Sequence, residues 1–145
     1  MRERLAATAI NRIASLNVPT MLTQLVETGF KAFVLPGHGV EDRASFFEAI
    51  RSSIPLDPPL ASSNSWDALS DSLWQGLYCH PAKRIAILWP NADAMATSSA
   101  SEFSIALAIL EDVAISLSDV SLTRGSPKEV SILVECRVTR SDIVP

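Results

Sequence analysis

Three short apolar runs, separated by stretches with helical patterning, restrict the possible folds of this chain more than any other feature of the sequence. Runs of this length that stop at turn residues such as Pro36 and Pro90 are typical of buried strands. They lie at residues 31–35 (KAFVL), 83–89 (KRIAILW) and 129–138 (EVSILVECRV). Strands connected through helices are expected to be parallel, with right-handed crossovers. The pattern therefore predicts an α/β fold with a three-stranded parallel sheet packed with helices.

Helical patterning fills most of the intervals between the runs. Asp42 is placed to cap the first of these helices, in which the paired Phe46 and Phe47 would face the core. Helices are predicted at residues 42–53, 66–77 and 101–118, with a proline-rich loop at 54–64, a small-residue connection at 92–99 and a turn cluster at 119–128.

The first thirty residues lie outside this pattern. Apolar residues fall at helical spacing in residues 3–16, where Asn17 is available to end the helix, and again after Pro19. This spacing predicts a helical pair, which would be a docking or dimerisation surface or a brace against the sheet. The expected organisation is an N-terminal helical extension at 1–29, an α/β domain at 30–138 and a tail at 139–145.

The balance of charge narrows the class of partner. The 145 residues carry a formal net charge of −4, with a sequence pI near 5.1. Nucleic acid binding needs a basic patch that releases counterions, so an acidic chain is a poor candidate for it. A basic protein is the partner that this charge favours, through complementarity and faster encounter.

The cysteines and the N-terminal charges bear on the compartment. Cys79 and Cys136 are the only cysteines and follow no ligand or disulfide pattern, which suits a reducing compartment. Arg2, Glu3 and Arg4 interrupt any apolar core of a signal peptide, and no later run approaches the length of a membrane span. We expect a cytoplasmic protein that does not enter the membrane.

The sequence contains no recognisable motif for catalysis or for cofactor binding. His38 and His80 are isolated, and no Cys/His spacing suggests a zinc site. The sequence contains no P-loop and no G-x-S-x-G motif. Asp67 and Asp71 are adjacent on one predicted helix rather than placed across a cleft, as glycosidase carboxylates are. We predict no enzyme activity, no metal and no other cofactor.

The predicted helix at 66–77 has two stripes of different character. One stripe is apolar and is expected to face the core: Trp66, Leu69, Leu73 and Leu77. The other, which we call the acidic stripe, holds Asp67, Asp71 and Trp74. Its two carboxylates repel each other, and no cation on the helix relieves them. The acidic stripe is either a solvated surface with Trp74 packed under a loop, or a recognition surface for a partner's Arg or Lys.

The same segment resembles the barstar family of intracellular ribonuclease inhibitors. SWDALSDSL, at residues 65–73, is similar to the family's NLDAL or NWDAL motif followed by x-D-x-L. Upstream, EDRASFFEAIRSSI resembles the family's first helix; downstream, KRIAILWPNADAM and SEFSIALAILEDVAISLSD resemble its second strand and last helix. The resemblance covers roughly residues 31–136 and leaves the first thirty residues unmatched.

The resemblance implies an inhibitor that blocks the active site of a basic secreted ribonuclease with an acidic helix face, as an immunity protein or antitoxin does. Asp112 aligns with a carboxylate through which the family touches its ribonuclease. The candidate partner-binding residues are Asp67, Ser70, Asp71, Trp74 and Asp112.

The loop before the acidic stripe departs from the family. The family's pattern there is proline, acid, two aromatics, glycine, any residue, asparagine. After Pro59 this chain instead has Leu60, Ala61, Ser62 and Ser63, and Ser65 replaces the asparagine. A protein-interaction module on the same fold, whose partner is not a ribonuclease, therefore remains the alternative.

Overall fold

The computed structural model describes residues 9–60 and 64–137. In chain order the elements are β1 (Ile10–Ile13), α1 (Val18–Glu27), β2 (Lys31–Val34), α2 (Arg43–Ser53), α3 (Trp66–Cys79), β3 (Arg84–Trp89), α4 (Asp93–Ser98), α5 (Ala100–Leu117) and β4 (Glu129–Glu135). The strands form one parallel sheet in the order β1-β4-β3-β2. The α/β class and the parallel sheet are confirmed, but the sheet has four strands instead of three.

The prediction of an N-terminal helical pair was wrong in the described part of its first helix, and residues 3–8 of that helix lie outside the described residues. Residues 10–13 form β1, which pairs with β4 at the edge of the sheet. Ile10 packs against the larger core and Ile13 against the smaller one on the opposite face. A spacing of three residues puts both side chains on one face of a helix but on opposite faces of a strand. The same two residues therefore fit either element, and pairing with β4 decides for the strand.

The second half of that prediction is confirmed by α1, which begins beside Pro19 in its first turn. Asn17 was predicted to end a preceding helix. It instead caps α1, and its side chain accepts a hydrogen bond from the Thr20 N–H at 3.0 Å. The predicted boundary at residues 29 and 30 stays a prediction, and the predicted tail at 139–145 lies outside the described residues.

Helices cover both faces of the sheet, and crossover handedness explains their division. Helices α2 to α5 contribute to the larger core, whereas α1 packs on the opposite face, where Leu16 and Leu25 meet Ala86 and Leu88 of β3. The connection from β1 to β2 crosses the sheet in one direction. The connections from β2 to β3 and from β3 to β4 run in the opposite direction. Right-handed crossovers in opposite directions place their helices on opposite faces.

Local capping sets the starts of α2 and α3. Asp42 accepts a hydrogen bond from the Ser45 N–H at 2.9 Å, while the Ser45 hydroxyl accepts from the Asp42 N–H at 3.0 Å, which is a capping-box arrangement. The Ser65 hydroxyl accepts from the Ala68 N–H at 3.3 Å. These helices begin and end within two residues of the predicted positions.

Helix α4 was missed, because residues 92–99 were expected to be a connection. Its six residues are small apart from Met95, which is fully buried. Tertiary burial of that one side chain outweighs the weak local signal of so short a segment.

Gly76 allows the proline-rich loop to lie directly on α3. A Cβ atom at this position would stand 2.1 Å from the carbonyl oxygen of Pro55 and 2.7 Å from its carbonyl carbon. The Asp57 N–H donates to the Ser72 carbonyl at 3.1 Å, which ties the loop to the same helix. The loop backbone is therefore held against the middle of α3.

Gly76→Ala should destabilise the protein by roughly 1–3 kcal/mol, because the new methyl group overlaps the loop backbone. At an open position inside a helix the same change would stabilise by about 1 kcal/mol. Urea denaturation measures the difference. Gly37→Ala is the control, since nothing lies within 4 Å of a Cβ atom there. A stabilised Gly76→Ala variant would contradict the close approach of the loop.

Candidate partner-binding groove

Four of the five predicted site residues line one groove between α3 and α5. The groove has a volume of about 380 Å³ and is lined by Ser70, Asp71, Trp74, Asp112, Val113, Ser116 and Leu122. We call it the acidic groove. Asp67 does not line it, but lies exposed one turn earlier on α3. Helices distant in sequence thus bring Asp71 and Asp112 to one surface.

The orientation of α3 follows from its apolar stripe. Leu69, Leu73 and Leu77 are fully buried in the larger core, and their burial turns Asp67 and Asp71 toward solvent. Because side chains three and four residues apart share a face of a helix, burying the leucines fixes the outward face as well.

Trp74 joins the two helices that form the groove. Its indole N–H donates to the Ser116 hydroxyl at 2.9 Å, and its ring stacks on Tyr78 with the centroids 4.7 Å apart. The indole is therefore partly packed and also lines the groove, so both alternatives offered for the acidic stripe stay open. With its N–H bonded to the Ser116 hydroxyl, Trp74 has its ring carbon atoms left for any further contact.

The two carboxylates of the groove are available to a cation. In the part of the chain that the structure describes, neither Asp71 nor Asp112 takes part in an ion pair. Both are exposed. Carboxylates beside an aromatic ring suit a guanidinium group, which bonds to carboxylate oxygens and stacks on rings.

Sequence reasoning missed an ion-pair cluster at the start of α3. Glu102 of α5 accepts hydrogen bonds from Arg43 Nε at 3.0 Å and from Trp66 Nε1 at 3.2 Å. The Arg43 guanidinium lies 5.5 Å from the centroid of the Trp66 ring, and it lowers the pKa of Glu102, chiefly through their hydrogen bond. The cluster ties α2 and α5 to the turn of α3 that carries Asp67. Arg43, Trp66 and Glu102 lie far apart in sequence, so no motif spacing predicts that they meet.

The other end of α3 is held by a buried lysine. Lys128 is 6% exposed, and its ammonium group donates to the carbonyls of His80 and Ala82, each at 2.6 Å. The His80 ring accepts from the Ala82 N–H at its Nδ1 atom, at 3.0 Å. Burial lowers the pKa of His80, and the charges of Lys31 and Lys128 lower it further. A neutral imidazole is therefore the form that the fold favours.

Acidification should destabilise the protein through His80. Since the folded state disfavours the imidazolium, the unfolded chain binds a proton at higher pH than the folded one does. This part of the stability is complete above pH 6.5, the ordinary pKa of the residue, and is lost as the pH falls from there through the lowered native pKa. Urea denaturation at about pH 7.5 and about pH 5.5 measures the loss.

The matched variants for this experiment are His80→Gln and His38→Gln. His80→Gln should remove that part of the pH dependence, whereas His38→Gln, at an exposed position, should retain it. An identical pH dependence in the wild type and His80→Gln would contradict the assignment.

The described residues contain neither a group of potential metal ligands nor a helix that could span a membrane. In residues 9–60 and 64–137, no three His, Cys, Asp or Glu side chains are grouped so that they could hold a metal ion. None of the helices described in that part of the chain has both the length and the apolar character needed to cross a membrane.

A known protein family matches most of this chain. A family model described as barstar (barnase inhibitor) matches residues 30–134. Searches of curated proteins and of solved structures gave no match. The matched segment runs from the start of β2 into β4 and includes both helices of the acidic groove, which is well over half of the chain. The chain therefore belongs to the barstar family, a family of inhibitors, and the predicted resemblance is confirmed.

Proposed function

We propose that this protein binds and blocks the active site of a basic ribonuclease through the acidic groove and Asp67. Membership of the barstar family supports this class of partner. The observation that carries the proposal is that Asp71 and Asp112, from helices distant in sequence, line one groove. A ribonuclease holds the phosphates of its substrate with cationic side chains, and carboxylates in the same positions can occupy those cations.

Such an inhibitor acts in the cytoplasm, where it protects the cell that makes a secreted ribonuclease, as an immunity protein or antitoxin. The protein itself is proposed to have no turnover of RNA. The groove is lined by carboxylates, hydroxyls, an indole and aliphatic side chains, and the negative charge of the carboxylates disfavours the phosphates of an RNA substrate.

The test is a titration of the wild-type protein against microbial guanyl-specific ribonucleases. We expect stoichiometric inhibition, with association that slows as salt is added, since steering is screened over about 10 Å at 0.1 M. The protein alone, incubated with RNA, should release no product. If no ribonuclease of this kind is inhibited, the proposed function is wrong.

A second candidate, an interaction module for a basic protein that is not a ribonuclease, is favoured by the altered loop. Leu60, which stands where the family pattern has an acid, is 8% exposed, and its carbonyl accepts a hydrogen bond from Arg51 Nη1 at 3.2 Å. A buried leucine cannot make the charged contact of the acid that it replaces. Affinity capture from cells with the wild type and Asp71→Ala, followed by mass spectrometry, distinguishes the two candidates by the proteins lost from the variant.

A further inference from the structure

An apolar edge borders the acidic groove. Leu122 lines the groove together with Asp71 and Asp112 and is 59% exposed, and Val120 in the same turn is 63% exposed. Single exposed apolar residues are ordinary on protein surfaces, so what distinguishes Leu122 is its place in the lining of the acidic groove. We refer to Val120 and Leu122 as the apolar edge.

The turn that carries the apolar edge is fixed by hydrogen bonds. The Leu122 N–H donates to Asp119 Oδ1 at 2.9 Å, and the hydroxyl of the fully buried Thr123 donates to the Asp119 carbonyl at 2.7 Å. The Gly125 N–H donates to the Val120 carbonyl at 2.8 Å. Because these bonds hold the backbone of the turn, little conformational freedom remains to be lost when a partner binds there.

The same turn is connected to the aromatic residues of the groove. The Tyr78 hydroxyl donates to the Thr123 carbonyl at 2.8 Å, and the Tyr78 ring stacks on Trp74. Groove and turn are thus joined through Trp74, Tyr78 and Thr123. A partner placed over Asp71 and Asp112 would meet the apolar edge without rearrangement of this surface.

We propose that the apolar edge belongs to the binding surface, and that its occupant is a basic protein with an apolar side chain beside its Arg or Lys. This inference rests on the proposed function and specifies the partner's surface. The cations of the partner meet Asp71 and Asp112, and its apolar side chain covers Leu122. Charge complementarity selects a basic partner, while the apolar contact adds affinity that salt does not screen.

The experiment compares Leu122→Ser with Val26→Ser in complexes with a basic ribonuclease, at low and at high salt. Val26 is a matched control, because it is 68% exposed and lies on α1, which packs on the other face of the sheet. We expect Leu122→Ser to weaken binding about tenfold through faster dissociation, by the same factor at both salt concentrations. Val26→Ser should leave the affinity unchanged.

Thermal melts of both variants establish that each is folded, and the backbone N–H that bonds to Asp119 is retained in Leu122→Ser. Val120→Ser is a second variant and is expected to lower the affinity in the same salt-independent way.

The other outcomes overturn either this inference or the proposed function. Equal affinities of Leu122→Ser, Val120→Ser and Val26→Ser, with wild-type inhibition intact, overturn this inference and leave the proposed function standing. A loss at Leu122 that disappears at high salt also overturns it, because an apolar contact is not screened. A wild-type protein that binds no basic ribonuclease overturns the proposed function, and this inference falls with it.

Discussion

Asp71→Ala is expected to weaken inhibition of a basic ribonuclease by about 2–5 kcal/mol, which is roughly 30-fold to 5,000-fold in the dissociation constant. Asp71 lies in the middle of the acidic stripe and lines the acidic groove. Its removal would leave cations of the partner buried without a counter-charge, and this penalty dominates the loss. Asp67→Ala should weaken binding less, since Asp67 lies outside the groove. Inhibition titrations of the two variants measure both effects.

The matched control for this prediction is Glu27→Ala. It changes the net charge by the same amount, but Glu27 lies on α1, away from the groove. It should therefore change the salt dependence of association only slightly and leave the dissociation rate unaltered. If Asp71→Ala inhibits as well as the wild type does, the inhibitor class survives and the site is wrong.

Leu69→Ala and Leu73→Ala are expected to lower the free energy of unfolding by about 2–5 kcal/mol each. Both side chains are fully buried in the larger core, so each substitution removes apolar contacts and leaves a cavity that the surroundings fill only in part. Urea or thermal denaturation of the purified variants gives these values directly.

Asp67→Ala and Asp71→Ala provide the contrast on the same helix. Their side chains are exposed, and the two carboxylates repel each other across one turn. These variants should lose little stability, and Asp71→Ala should be slightly stabilised. A similar loss at all four positions would show that the helix faces the other way. These two sets of variants thus separate residues that stabilise the fold from residues that are proposed to bind the partner.

Local sequence signals determined much of this protein. The apolar runs that became β2 and β3 stop at Pro36 and Pro90, and the run that became β4 follows a turn cluster. Asp42 and Ser65 make their capping bonds within three residues along the chain. The leucine stripe of α3 likewise predicts its own burial, because helical periodicity is a property of consecutive residues. With the family resemblance, the same stretch placed Asp71 and Trp74 among the candidates.

The tertiary structure alone decided the features that depend on residues distant in sequence. Residues 10–13 are compatible with a helix until β4 offers a neighbouring strand, and the Arg43–Glu102 ion pair joins residues 59 positions apart. Leu122 lies in a turn cluster that the sequence predicts, but only the fold places it beside Asp71 and Asp112. Capping and periodicity act over a few bonds of the chain, whereas edge pairing, ion pairs between helices and the walls of a groove exist only once the core has brought separate elements together.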